Sequence, residues 1–204
     1  PTLAAFGETG LPVVENPITE CISAPLLWQS MLDGSFNSTG MAYSDEFNAQ
    51  DIKQADIRYL SLEGAARIQN TPSAVKAVEA IRSLEFVTCS SHFFNAQAKY
   101  ADIVLPITTE WERVGGFPGH QRSRETVIVY TQVTEPLFEA KTDQEIGTML
   151  AERLGMDPTD IWPINEKQQF FNQILGCTFV DEAGENKTLV TVTQEDIDAW
   201  GCDG

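Results

Sequence analysis

Apolar positions fall into three short runs of β character, each followed by a polar stretch, with longer stripes of helical period between and after them. Residues 57–62 (IRYLSL) alternate. Residues 86–89 (FVTC) and 103–105 (IVL) are largely apolar, and Pro106 ends the last run by removing a backbone donor. Between the first two runs, Thr71 as N-cap and Pro72 at the first helical position introduce a helix with Ala74, Val75, Val78 and Ile81 on one stripe. Strand, turn, helix, strand, short helix, strand is the grammar of one βαβαβ half of a doubly wound sheet. The expected fold class is therefore α/β, a Rossmann-like three-layer αβα arrangement with a mostly parallel sheet. Ligands of such sheets sit beyond the carboxyl ends of the strands, which points to residues 63–70, 90–95 and 107–110.

The flanks carry clear punctuation. Upstream, a Pro-bounded extended segment leads into a helix from Pro25, apolar at Leu26, Leu27, Met31 and Leu32 and ended by Gly34. Residues 35–54 are polar without a period and read as a surface excursion. Downstream, residues 113–124 gather glycine, proline and Arg113, Arg122 and Arg124, and read as a loop before a strand at residues 126–131. Thr142 and Glu145 form a capping box for a helix striped by Ile146, Met149, Leu150 and Leu154, with Gly155 at its end. Asn165 caps a second helix with Phe170, Phe171 and Ile174 inward, two short strands surround a Gly184 turn, and Thr193 caps a last helix. Residues 1–155 are expected to form one Rossmann-like domain, and residues 156–204 a C-terminal extension packing on it.

Composition narrows the function. Apolar residues at 42% are enough for a folded core in a chain of 204 residues. Thirty acidic against thirteen basic residues give a formal charge of −17, a field that opposes binding to nucleic acid and to anionic membranes. No apolar run is long enough to cross a bilayer, so direct membrane insertion is not expected. Cys21, Cys89, Cys177 and Cys202 are widely spaced, without the short spacings of zinc or iron–sulfur sites, so no metal ligand is assigned. No G-x-G-x-x-G follows a strand, which leaves out the usual nicotinamide and flavin fingerprint. The chain opens at Pro1 without an initiator Met or signal peptide, and is expected to be a fragment of a longer protein.

AKYADIVLP at residues 98–106, followed by TTEWER at residues 108–113, resembles the signature of the dimethyl sulfoxide reductase family of molybdopterin oxidoreductases. The likeness extends from about residue 12 to residue 155, through Asn16, Pro17, Pro25 and Trp28 upstream and the PLFEAKTDQEI and LAERLG wording downstream. The family segment before the signature reads like D-x-F-M-T-P-T-A, against SHFFNAQA here. Ser91 stands for its Asp, and Asn95 and Gln97 for its Thr and Thr or Ser. In the loop after the first strand, Gly64 and Gln69 keep part of a G-G-N-P…Q pattern, and Ala65 and Ala66 replace its small polar core. Carried over, the resemblance implies that Glu63, Gly64, Gln69, Ser91, His92, Asn95, Asp102 and Gln121 contact the cofactor.

That cofactor would be a bis-molybdopterin guanine dinucleotide with molybdenum or tungsten in the parent protein, and none is expected on the isolated fragment. The implied partners are the other domains of the catalytic subunit and an iron–sulfur electron-transfer subunit. Many members are exported across the bacterial inner membrane, so the resemblance allows an extracytoplasmic parent.

Neither His92 nor His120 stands in a recognisable serine or cysteine triad, so no residue is assigned as catalytic. His92 reads either as a hydrogen-bonded structural residue at a strand end or as a cofactor contact. Asp102 either bonds neighbouring backbone or reaches the cofactor, and Glu110 and Glu112 read as a surface or interdomain pair. Two readings of function stand. One is a domain fragment of an S-oxide or N-oxide reductase catalytic subunit that helps bind the cofactor and is inactive alone. The other is an acidic α/β interaction or assembly module that kept the fold and lost the cofactor. A complete small hydrolase has only scattered Ser, His and Asp to support it.

Overall fold

The computed structural model describes residues 2–13, 15, 17–18, 21–37, 52–64, 66–118 and 126–200. The chain forms two compact units, Glu15–Ile107 and a second made of Pro1–Val14 with Thr108–Gly204. It opens with strand β1 (Thr2–Ala5), which belongs to the second unit.

The Glu15–Ile107 unit begins with a 3-10 turn at Ala24–Leu26 that runs into helix α1 (Leu27–Asp33), where Gly34 at φ 63° stops it in the left-handed conformation glycine tolerates. Residues expected to be featureless supply a two-stranded antiparallel ribbon, β2 (Ser35–Asn37) with β3 (Ile52–Gln54). Then come β4 (Tyr59–Glu63), a short helix α2 (Arg67–Asn70) inside what reads from sequence as a turn, and α3 (Ala74–Arg82). Strands β5 (Phe86–Ser91) and β6 (Ile103–Pro106) complete a parallel sheet of order β4-β5-β6. Its register aligns Leu62 with Cys89 and Cys89 with Val104. The order and direction agree with the three runs read from sequence.

One face of this sheet is closed. Leu62, Val87 and Cys89 pack with Trp28 of α1 and with Ala77, Ala80 and Ile81 of α3 into a single buried cluster. The small residues Ala77 and Ala80 let α3 lie close, and this rotates the expected stripe. Val75 is 81% exposed. The start of α3 also differs from expectation. Thr71 is not its cap, because its hydroxyl accepts the Trp28 indole N–H at 2.6 Å and donates to the Arg67 carbonyl; α3 starts after Ser73 at φ 66°, with no side-chain cap. The other face exposes Tyr59, Phe86 and Ile103, with the Tyr59 and Phe86 rings stacked at 5.7 Å.

In the second unit, residues 113–118 depart from the expected loop. β7 (Gly115–Pro118) pairs antiparallel with β8 (Val127–Tyr130). Glycine leaves room for its neighbours twice there. A Cβ at Gly115 would stand 2.4 Å from the Tyr130 hydroxyl, and one at Gly116 would press on the Phe170 ring at 3.3 Å. Helix α4 (Asp143–Arg153) carries the predicted capping box, and Gly155 at φ 79° with Met156 N–H donating to the Ala151 carbonyl forms a Schellman stop.

The expected stripe of α4 is corrected. Met149, Leu150 and Leu154 are exposed, because the helix turns Ala151 inward and sets Gly147 where a Cβ would meet the Trp162 ring at 2.8 Å. Helix α5 (Glu166–Leu175) is capped by Asn165, as expected. Strands β9 (Thr178–Val180) and β10 (Asn186–Thr188) flank the Gly184 turn, and β9 also pairs with β1. Thr193 and Asp196 cap α6 (Gln194–Trp200) reciprocally. The coarse result is a mixed α/β chain with a three-stranded parallel sheet among several small sheets.

Candidate functional site

The carboxyl ends of β4, β5 and β6 bring five of the expected site residues to one edge of the first unit. Glu63 ends β4 and stands opposite Ser90, and Ser91 ends β5 opposite Pro106. Gly64 follows at φ 69°, and a Cβ there would meet nothing within 4 Å, so its backbone lies open to a ligand. The Glu63 carboxylate is exposed and accepts from Ser61 Oγ at 2.8 Å. His92 is exposed, and its Nδ1 hydrogen-bonds the Ile107 carbonyl at 3.2 Å, which leaves Nε2 outside that bond. The Phe93 and Phe94 rings beside it are exposed as well.

The loop after β5 is largely satisfied from within. Ser91 Oγ donates to the Phe93 carbonyl at 2.8 Å and accepts from Asn95 Nδ2 at 3.0 Å, while Asn95 Oδ1 accepts the Ala98 N–H at 3.1 Å. These bonds hold the chain in the turn that leads to the 3-10 segment Ala98–Tyr100. Gln69 lies exposed in α2. Asp102 is placed at the opposite end of the sheet, where its Oδ2 accepts the Val87 N–H at 2.8 Å and ties the starts of β5 and β6 together. This is the backbone bond that one of the two sequence readings expects. Gln121 lies outside the described residues.

Gln97, named from sequence only as a departure from the family segment and not as a site residue, is fully buried. Its Oε1 accepts the Arg67 N–H at 2.8 Å, which links the loop after β5 to the start of α2. Its Nε2 is buried beside the Cys89 thiol and meets no other hydrogen-bond partner among the described residues. Cys89 lies beneath it. Burial pushes this thiol pKa up, and the neighbouring Gln97 amide opposes the shift only in part.

In the second unit, Glu112 is only 6% exposed, which sets aside the surface half of the surface-or-interdomain reading. One carboxylate oxygen accepts from Thr109 N and Oγ1 at 2.7 and 2.9 Å, and the other accepts the Leu137 N–H at 2.7 Å. It organises two loops. Glu110 is exposed. Glu112 also borders a cleft of about 700 Å³ shared with Arg113, Lys141, Glu145 and Glu166. Glu166 accepts the Thr142 hydroxyl proton at 2.6 Å. Burial raises its pKa first of all, with repulsion from Glu145 and Asp143 adding, against the Thr142 bond and the Arg113 charge. Among the described residues, no cluster of three His, Cys, Asp or Glu could hold a metal ion, and no helix is long and apolar enough to cross a membrane.

The chain is 30% identical over 110 residues to the dimethyl sulfoxide/trimethylamine N-oxide reductase of Cereibacter sphaeroides, covering 54% of this chain and 13% of that one. It is 30% identical over 128 residues to the F420-dependent formate dehydrogenase subunit alpha of Methanocaldococcus jannaschii, covering 63% of this chain and 18% of the relative. The trimethylamine-N-oxide reductase 1 of Escherichia coli matches at 27% over 111 residues, 54% of this chain and 13% of that one. The chain thus spans under a fifth of the length of these relatives. A sequence description of the family named molybdopterin oxidoreductase matches residues 32–153. That match takes in the whole parallel sheet, its polar edge and the capped helix α4, and the chain belongs to the molybdopterin oxidoreductase family.

Proposed function

We propose that the chain is a central α/β domain of a molybdopterin oxidoreductase catalytic subunit, which helps hold a guanine dinucleotide form of the cofactor and does not turn over substrate alone. The observation that carries this reading is the polar carboxyl edge of β4-β5-β6 in a sheet that belongs to the family. The residues present there fit such a group. Glu63 offers a carboxylate to the N–H donors of a guanine edge, and Gly64 leaves its backbone unobstructed. Gln69 and His92 Nε2 supply further polar atoms, and Arg67 is an exposed cation of the type that pairs with phosphate. When bound, the metal–dithiolene centre would supply oxygen-atom and electron transfer; the work of this chain is to bind and orient.

The same reading accounts for the open side of the sheet. Parallel sheets are stable when both faces are covered, yet Tyr59, Phe86 and Ile103 stand bare. In the longer protein a second helical layer would cover them and complete the three-layer αβα arrangement, with other domains of the subunit as neighbours and an iron–sulfur subunit as electron partner. The second reading, an interaction module without cofactor, has one observation in its favour: Ser91 and Asn95 spend their polar atoms on each other and on the local backbone.

The test is titration of the full polypeptide that carries this sequence, stripped of cofactor, with released pterin guanine dinucleotide, together with its molybdenum and tungsten content as isolated. Saturable binding that Glu63→Ala weakens about tenfold supports the proposal. Absence of metal and of binding turns the site over to the second reading. Reduction of dimethyl sulfoxide or trimethylamine N-oxide by the purified 204-residue chain would overturn the claim that it is inactive alone.

A further inference from the structure

Helix α2 begins with a defect. Its N-cap position is Ala66, which has no side chain able to accept a hydrogen bond, so the first N–H groups of the helix lack the usual local partner. The missing acceptor comes from thirty residues away, where Gln97 Oε1 takes the Arg67 N–H at 2.8 Å. Gln97 is fully buried and sits at the entrance to the 3-10 turn Ala98–Tyr100, itself held by Asn95 Oδ1. The two loops of the polar edge, residues 63–70 and 91–98, are thereby joined through one buried amide.

We infer that Gln97 is a positioning residue, a cap supplied in trans that sets the loop after β4 against the loop after β5 and so fixes where Glu63, Gly64 and Gln69 stand relative to His92. Its role in ligand binding rests on the cofactor reading above; the tie itself does not. Gln97 touches no ligand in this scheme. Its Oε1 accepts the Arg67 N–H, and its Nε2 is buried, with the Cys89 thiol as a neighbour.

Amide hydrogen exchange separates the two claims. In the full polypeptide the Arg67 amide is expected to exchange at least about tenfold more slowly than an unprotected amide, since it is bonded. Gln97→Met removes the acceptor at similar volume and should abolish that protection, while Val87 and Cys89 in the strand keep theirs. Gln97→Glu retains an acceptor oxygen and should restore it. Ala66→Ser in the Gln97→Met background supplies a local cap and should recover part of the loss at α2. An unprotected Arg67 amide in the unsubstituted protein, or full protection in a folded Gln97→Met variant, overturns the tie.

If Gln97→Met fails to fold, the unsubstituted protein still decides by its Arg67 protection. The ligand role is read by titration: Gln97→Met should weaken pterin guanine dinucleotide binding about tenfold and Gln97→Glu less. Equal binding by both and by the unsubstituted protein removes that role and leaves the tie standing. Failure of the unsubstituted protein to bind at all removes the cofactor reading instead.

Discussion

The two units hold their helix ends in opposite ways. In the second unit α4, α5 and α6 are each capped by the residue just before them, Thr142, Asn165 and Thr193, with the capping oxygen accepting an N–H of the first turn. In the sheet unit neither α2 nor α3 has such a cap. Ala66 cannot provide one, and Ser73 at φ 66° does not. The tertiary anchors lie at the two ends of α2: Gln97 on Arg67 at its start, and the Trp28 indole on Thr71 at its C-cap. Local caps make a helix start independent of its surroundings, whereas distant anchors make it responsive to them. The responsive start is that of α2, which borders the polar edge of the sheet.

This contrast can be broken most severely at Trp28, which is 1% exposed and holds the α2–α3 turn. Trp28→Ala is expected to cost about 3–5 kcal/mol in urea unfolding, and to raise exchange at α2 and α3 before that at α4. A protein whose α4 amides open together with α2 would show that the two units share one cooperative transition. A smaller effect is expected at Thr142, where Thr142→Ala removes the capping oxygen and should cost about 0.5–2 kcal/mol. Its consequence should stay local, at α4 and at the Glu166 contact. Spread into α2 would contradict the independence of the locally capped helices.

The smallest effect sharpens the comparison through pH. Glu166 has its folded-state pKa raised above the ordinary value of 4.5, by burial first and by Glu145 and Asp143 next, so the folded chain binds this proton more tightly than the unfolded chain does. Its favourable contribution is complete below that ordinary value and is lost as pH rises through the folded pKa. At neutral pH Glu166→Gln should therefore raise the unfolding midpoint, and the gain should shrink toward pH 4. A variant less stable than the unsubstituted protein at pH 7 would mean that the Thr142 bond and the dipole of α5 outweigh the desolvation.

What the sequence revealed follows the same division. The capping box at Thr142 and Glu145, the caps at Asn165 and Thr193 and the Gly184 turn are written within four residues of where they act, and a local reading finds them. The strand runs are legible in two ways: residues 86–89 and 103–105 are largely apolar, as in a parallel sheet, and residues 57–62 alternate because one face of the sheet is packed and the other bare. Thr71 misleads because its local setting before Pro72 is an ideal cap, while a tryptophan 43 residues upstream takes its hydroxyl.

Gln97 and Glu112 are hidden for the same reason. Each is a polar residue in a polar stretch, and only the fold puts Arg67 N–H or Leu137 N–H beside it. Among the expected site residues, the sheet geometry gathers Glu63, Gly64, Ser91, His92 and Asn95, and sends Asp102 to the other end because a strand has two ends and sequence likeness marks only the strand.

The second unit is also discontinuous, since β1 and the segment around Gly7 join a body built from residues beyond 107. Asn172 Nδ2 reaches the Thr9 carbonyl at 2.8 Å across 163 residues of chain, and Gly7 fits against Gln173 so closely that a Cβ there would lie 2.2 Å from its carbonyl oxygen. Order of emergence during synthesis follows. The Glu15–Ile107 unit is complete before α5 and β9 exist, so it can collapse first on its own contacts, while the first strand waits unpaired until β9 is made. A ribosome-bound intermediate should therefore carry a finished parallel sheet while β1 still has no strand to pair with, and pairing of β1 with β9 should follow it.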